Sequence, residues 1–169
     1  AAARASSSPL MTGCSSSGSD AMKINYMSDL HFEFSEIMPQ EADANLKGGD
    51  VLVLAGDIIQ IRKLQRAKYF APFLAKAIER YHTVIAIGGN HEYYGSTRED
   101  LEDKLADADA AYSNLDILDN KVVTIDGVRF VGSTLWFPKT NMAKYLQQFW
   151  TDFNHIKDLH KWVYKKNEE

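Results

Sequence analysis

Residues 83–95 read TVIAIGGNHEYYG, and the join in the middle of that stretch decides how the rest of the chain is read. Its first five residues show no polar alternation, which suits a strand buried on both faces. Gly88 and Gly89 then close the run and hand the backbone to Asn90, His91 and Glu92 in succession. An amide, an imidazole and a carboxylate beside a buried strand cost free energy to desolvate unless each has a partner. The cluster therefore points to a site at the strand's carboxyl end.

Working outward, two earlier segments end the same way. Residues 51–55 (VLVLA) form a second unalternating strand, followed by Gly56 and Asp57, and residues 23–27 form a short strand followed by SDLH at 28–31. Between the second and third strands, apolar residues at 64, 67, 70, 71, 74, 77, 78 and 81 make a helical stripe that Pro72 kinks or restarts. Ser96 to Glu99 reads as a capping box opening a helix from 97 to about 112. The polar residues 35–49 read as a loop, with or without a helical turn. Asp126 and Gly127 between two β-rich runs, 122–125 and 128–133, signal a hairpin. Residues 139–169 read as mostly helical and aromatic-rich. The order predicts a mixed α/β layered fold.

Parallel strands carry ligands outside their carboxyl ends. Asp29, His31, Asp57, Asn90 and His91 would converge there, with Asp29 and His31 on one side of an extended chain. Two carboxylates, an imidazole and an amide oxygen form a mixed donor set. Divalent first-row metals (Mn, Fe, Co, Ni, Zn) suit it better than Mg or Ca. Glycines beside Asp57 and Asn90 fit a backbone that turns sharply near a ligand.

The set DLH, GD and GNHE, in that order and each at a strand end, resembles the signature of the calcineurin-like metallophosphoesterases. The later GSTLW at 132–136 is similar to a segment of their small bacterial and phage members, and the resemblance runs from about residue 23 to 156. It implies a layered α-β-β-α sandwich. It also implies hydrolysis of a phosphomonoester or phosphodiester by a metal-activated hydroxide at a two-metal site. Asp29 and His31 would hold one ion, Asp57 would bridge, Asn90 would hold the second, and His91 would contact the phosphate and protonate the leaving alkoxide. Two divalent ions are implied, with Mn favoured among Mn, Fe, Zn, Co and Ni, and the substrate is a small phosphate ester or nucleotide.

The family pattern closes with further histidines, including G-H-x-H, that this sequence does not show; His82, His155 and His160 read as surface or partly packed residues. The expectation is a chain covering the first two-thirds of such a domain over residues 22–169, incomplete at its C-terminus. A second copy of the chain would cover the apolar face so exposed. A binding scaffold with a degraded metal site is the alternative function. Glu92 either orients His91 or faces solvent. Tyr93, Tyr94, Trp136 and Phe137 either line the substrate pocket or pack in the core.

Composition sets the remaining limits. The 169 residues carry a net charge of −4, with 45% hydrophobic and 25% charged residues, as in a soluble globular domain. That charge argues against a broad electrostatic grip on nucleic acid. No apolar run is long enough to span a bilayer. One cysteine, Cys14, allows no intrachain disulfide, so a cytoplasmic setting is the default. Residues 1–21, rich in Ala and Ser, read as an added leader or flexible extension.

Overall fold

The computed structural model describes residues 21–34, 39–66 and 68–166. The expected leader, apart from Ala21, and Cys14 with it, lie outside the described residues.

Three β-α units open the chain. They are β1 (Ile24–Met27) and α1 (Pro39–Asn45), β2 (Gly49–Ala55) and α2 (Phe70–Arg80), and β3 (Tyr81–Ile87) and α3 (Arg98–Ala111). A three-residue strand, β4 (Leu115–Ile117), follows. All four strands pair in parallel in the order β1-β2-β3-β4. Successive side chains point to opposite faces of a sheet. Leu52, Leu54, Val84 and Ala86 accordingly join one apolar layer with Ala42 and Leu46 of α1, Phe73 and Ala77 of α2, and Leu105 and Ala108 of α3. All three helices thus lie on one side. Val51, Val53, Ile85 and Ile87 face the other way, against Val123, Ile125 and Phe130 of the hairpin β5 (Lys121–Ile125) and β6 (Val128–Gly132).

The hairpin forms where expected, antiparallel from Lys121↔Gly132 to Ile125↔Val128. Its turn residues Asp126 and Gly127 have φ of 47° and 82°, the positive pair that matches the twist of the flanking strands. The helical layer, parallel sheet and second β layer agree with the α/β architecture expected. The far side of the hairpin exposes Val122 and Val131.

Several local expectations shift. The stripe from 64 does not form one helix: Ile61–Arg66 is a 3-10 turn and α2 starts at Phe70. Pro72 then sits in the first turn, where its missing N–H has no intrahelical partner to lose. The capping box is one residue later than predicted. Thr97 Oγ1 accepts from Asp100 N at 3.1 Å, and Asp100 Oδ2 accepts from Thr97 N at 3.2 Å. Ser96 and Glu99 offer the same chemistry, but Ser96 is buried and its backbone bonds to Tyr93 and Lys157. Within the expected loop at 35–49, residues 39–45 form α1.

Strand β4 is too short for periodicity to reveal. Asn114 holds it in place, its Nδ2 donating to the carbonyls of Ile78 and Tyr81 at 3.0 and 3.1 Å. The expected C-terminal helix is three short pieces: α4 (Ala143–Phe149), α5 (Asp152–His155) and α6 (Leu159–Trp162). The break between the last two places Asp158 at φ 59°. It lets Ile156, Leu159 and Val163 pack with Tyr93, Leu101 and Trp136 in a second core.

Candidate metal centre

Three loops leave the carboxyl edge of the sheet after β1, β2 and β3. The first two continue to pair beyond their strands. Asp29 N donates to Gly56 O at 3.1 Å, His31 N to Asp57 O at 3.0 Å and Phe32 N to Ile58 O at 2.9 Å. Phe32 anchors this ladder in the core against Phe70 and Phe73. Asp29, His31 and Asp57 nonetheless hold φ of 55°, 47° and 54°. L-residues with side chains rarely adopt that left-handed region, and such outliers concentrate at functional sites.

The third loop is fastened by Glu92. Its Oε1 accepts from Ile58 N at 2.7 Å and Ile59 N at 3.1 Å, and its Oε2 from Gly89 N at 2.7 Å and Asp57 N at 3.0 Å. Glu92 therefore neither orients the His91 ring nor faces solvent; it is buried and ties the second loop to the third. Burial pushes its carboxyl above the ordinary range, opposed by the N–H groups of Ile59, Ile58 and Gly89, while the Asp57 charge adds to the rise. Two glycines make this closeness feasible. Gly56, at φ 88°, would bring a β-carbon within 3.0 Å of Gly89, and Gly89 has no room for one beside Asp57.

At the meeting point His31, Asp57 and His91 each present a donor atom, all within 4.8 Å of one another. Asp57 Oδ1 also accepts from the backbone N of His91 at 2.9 Å. The His31 and His91 rings meet edge to face, centroids 4.4 Å apart. Behind them Glu33, its side chain wholly buried, places Oε1 3.2 Å from His31 Nδ1 and 3.1 Å from His91 Nδ1. Tyr94 stacks on His91 at 4.2 Å, and His155 stacks on Tyr94 at 4.9 Å.

Asn90 is fixed from the far side of the chain. Its Nδ2 donates to Asp152 Oδ1 at 2.9 Å and lies 3.3 Å from Tyr94 Oη, which itself donates to Asp152 Oδ1 at 2.6 Å. The amide oxygen is thereby left as the available donor. Burial pushes the Tyr94 phenol up to about 12, and Asp152 reinforces the rise.

Of the five residues singled out by sequence, the structure brings His31, Asp57 and His91 into one group and holds Asn90 by its amide nitrogen. Asp29 stands outside that trio and is exposed. The left-handed backbone at 29 and 31 replaces the extended one that would have put both side chains on the same side. His82 is exposed beside Asp50 at the opposite edge of the sheet. Tyr93 and Trp136 are core residues, whereas Tyr94 borders the site. Sequence reasoning missed Glu33, two residues beyond His31, and Asp152, the first residue of α5.

The donor set fits a divalent cation. Nitrogen and oxygen donors converge, and among the described residues no Lys or Arg is paired with Glu33, Asp57 or Glu92. Among the described residues, one oxygen of Glu33 is buried with no hydrogen-bond partner. Buried carboxylates left uncompensated by protein cations are stabilised by a bound one. Beside the trio lies a cleft of about 450 Å³, within the usual size range for small-molecule sites. It is lined by Phe34, Gln60, Arg62, Lys63, Tyr94 and His155, among others.

Comparison with known proteins gives the same assignment. A family model described as calcineurin-like phosphoesterase matches residues 22–166. An uncharacterized protein of Acanthamoeba polyphaga mimivirus is 25% identical over 150 residues, 80% of this chain and 52% of that protein. A UPF0046 protein of Caenorhabditis elegans is 28% identical over 144 residues, 79% of this chain and 47% of its own length. The crystal structure of a phosphopantetheinyl hydrolase from Mycobacterium tuberculosis superposes with a TM-score of 0.51 at 15% identity, over 83% of this chain and 54% of that one. That likeness is one of fold. The chain spans about half the length of the curated relatives it matches.

Proposed function

The chain belongs to the calcineurin-like phosphoesterase family, and from that premise we propose that it hydrolyses a phosphate ester at a site holding two divalent metal ions. The observation that carries the reading is the convergence of His31, Asp57 and His91 within 4.8 Å at the carboxyl edge of a parallel sheet.

In this reading His31 and Asp57 would hold one ion, with Asp29, which stands outside the trio, as its third expected ligand, and Asp57 and Asn90 would hold the other. The mix of imidazole, carboxylate and amide donors suits Mn, Fe, Co, Ni or Zn, and Mn is the ion favoured among them by the family resemblance. Bound there, the metal supplies Lewis acidity toward the phosphoryl oxygens and water that ionises near neutral pH. The protein does the rest. Asp57 ties two loops together through the His91 N–H. Asn90 keeps its amide oxygen facing the site because Asp152 and Tyr94 occupy its nitrogen. His91, once its Nε2 has taken up a proton, contacts the phosphoryl group through its imidazole and delivers that proton to the leaving alkoxide as the P–O ester bond breaks and the water oxygen bonds to phosphorus. Arg62 and Lys63, two cations in the neighbouring cleft, suit a small substrate with a second anionic group, such as a nucleotide.

Hydrolysis of an aryl phosphomonoester and an aryl phosphodiester with added Mn²⁺ tests the proposal. Wild-type protein should turn over at least one of them. Asp57→Asn should fall to background, and His91→Ala should lose about 10²-fold or more. Equal rates for the three proteins would overturn it. Metal content after purification separates enzyme from scaffold: roughly two equivalents support the complete site and none supports the scaffold.

A further inference from the structure

We propose that Glu33 is a positioning residue for this site, one buried carboxylate oxygen fixing the tautomer and orientation of both histidines. The inference rests on the metallophosphoesterase reading for its purpose and on the geometry around Glu33 for its substance.

A carboxylate oxygen that meets two ring nitrogens offers them its lone pairs, so each Nδ1 that meets Glu33 Oε1 donates its own hydrogen. The contacts are 3.2 Å from His31 and 3.1 Å from His91. Both rings are then Nδ1–H tautomers, and each keeps its lone pair on Nε2, the atom that ligates a metal or exchanges a proton with substrate. Metal-binding histidines commonly carry a carboxylate at the far nitrogen, which sets the tautomer and raises ligand basicity. Here one carboxylate serves two rings from different loops, His31 after β1 and His91 after β3. It therefore also sets the angle between them, 72° at a centroid separation of 4.4 Å.

Packing alone does not account for a glutamate at this position. Its side chain is wholly buried, and Oε2 is buried with no hydrogen-bond partner among the described residues. Leaving a carboxylate oxygen dry and unpartnered is destabilising, and an apolar side chain of similar size would fill the space without that cost. The second histidine also distinguishes this arrangement from a local contact. Glu33 lies two residues from His31 but 58 from His91, so the bond to His91 forms only when the first and third loops are assembled.

Glu33→Met and Glu33→Ala decide the matter, read in two ways. The first is long-range ¹H–¹⁵N NMR of the imidazoles in metal-free protein. Wild type should show His31 and His91 as Nδ1–H tautomers, and both variants should shift toward mixed or Nε2–H forms. The second is calorimetric titration with Mn²⁺, in which both variants should bind about 10- to 100-fold more weakly. Glu33→Met preserves volume and carries no carboxylate or amide oxygen, so it carries the test if the alanine variant folds poorly. Unchanged tautomers in Glu33→Met would overturn the proposal. Because the NMR readout needs neither metal nor turnover, it stands or falls separately from the phosphoesterase reading. A wild-type protein that hydrolyses nothing yet shows the tautomer change would sink the enzyme and keep the positioning role.

Discussion

A β-carbon placed on Gly89 would lie 2.2 Å from Asp57 Oδ1 and 2.6 Å from the Asp57 backbone nitrogen. The loop after β2 and the loop after β3 are thus closed on each other without room for a methyl group. Gly89→Ala should force Asp57 out of place, costing about 1–3 kcal/mol of stability together with most Mn²⁺ affinity. Gly127→Ala is the control. Nothing lies within 4 Å of its added carbon, so it should lose only about 1 kcal/mol from its left-handed backbone and keep wild-type metal binding. Denaturant unfolding and metal titration of both variants check the contrast.

Glu92→Gln replaces one acceptor oxygen by an NH₂ group facing two backbone donors. Whichever way the amide turns, either Ile58 and Ile59 or Asp57 and Gly89 lose their acceptor. The expected loss is about 2–4 kcal/mol, read as a lower urea midpoint at unchanged slope. A midpoint equal to wild type would show that the four bonds contribute nothing net.

Asp152→Ala removes the shared acceptor of Asn90 and Tyr94. Asn90 is then free to rotate, and Mn²⁺ affinity and kcat should each fall about 10-fold or more. Tyr94→Phe removes only one of the two donors and should fall less. Steady-state kinetics across a metal series distinguishes them, and equal effects from both variants would contradict the arrangement.

The Tyr94 phenol, pushed up to about 12, has an alkaline signature. In the unfolded chain a tyrosine ionises near about 10, so below that pH the group's contribution to stability is complete. Between the two values the unfolded chain releases the proton first, and stability falls as pH rises. Wild type should therefore lose more stability between pH 9 and 11 than Tyr94→Phe, measured by denaturant unfolding at each pH. Parallel losses would place the phenol elsewhere.

How much of this was legible in the sequence differs by element. The unalternating strands, the Asp126–Gly127 turn and the polar strand ends are local patterns, and each appears as a strand, hairpin or loop of the site. Asp57 and His91 were readable because glycine marks their loops. The relation of Asp29 to His31 was misread because an extended chain was assumed, while three left-handed residues turn the loops back on themselves. Strand β4 is only three residues long and owes its place to Asn114. Beside their local bonds, Glu33, Glu92 and Asp152 act through partners 33 to 62 residues away. No window of sequence contains such a pair, so their roles emerge only once the sheet aligns the loops.

The ladder that runs on past β1 and β2 has a consequence for motion. The amides of Asp29, His31 and Phe32 are bonded to the neighbouring loop as strand amides are, although they belong to the segment that meets the ligand. Binding segments of this kind are ordinarily among the first to open to solvent. Here hydrogen exchange at His31 and Phe32 should be as slow as within β2, and adding Mn²⁺ should slow it little further. The first wall of the site is ordered before anything binds, so capture of the ion requires little loss of backbone entropy.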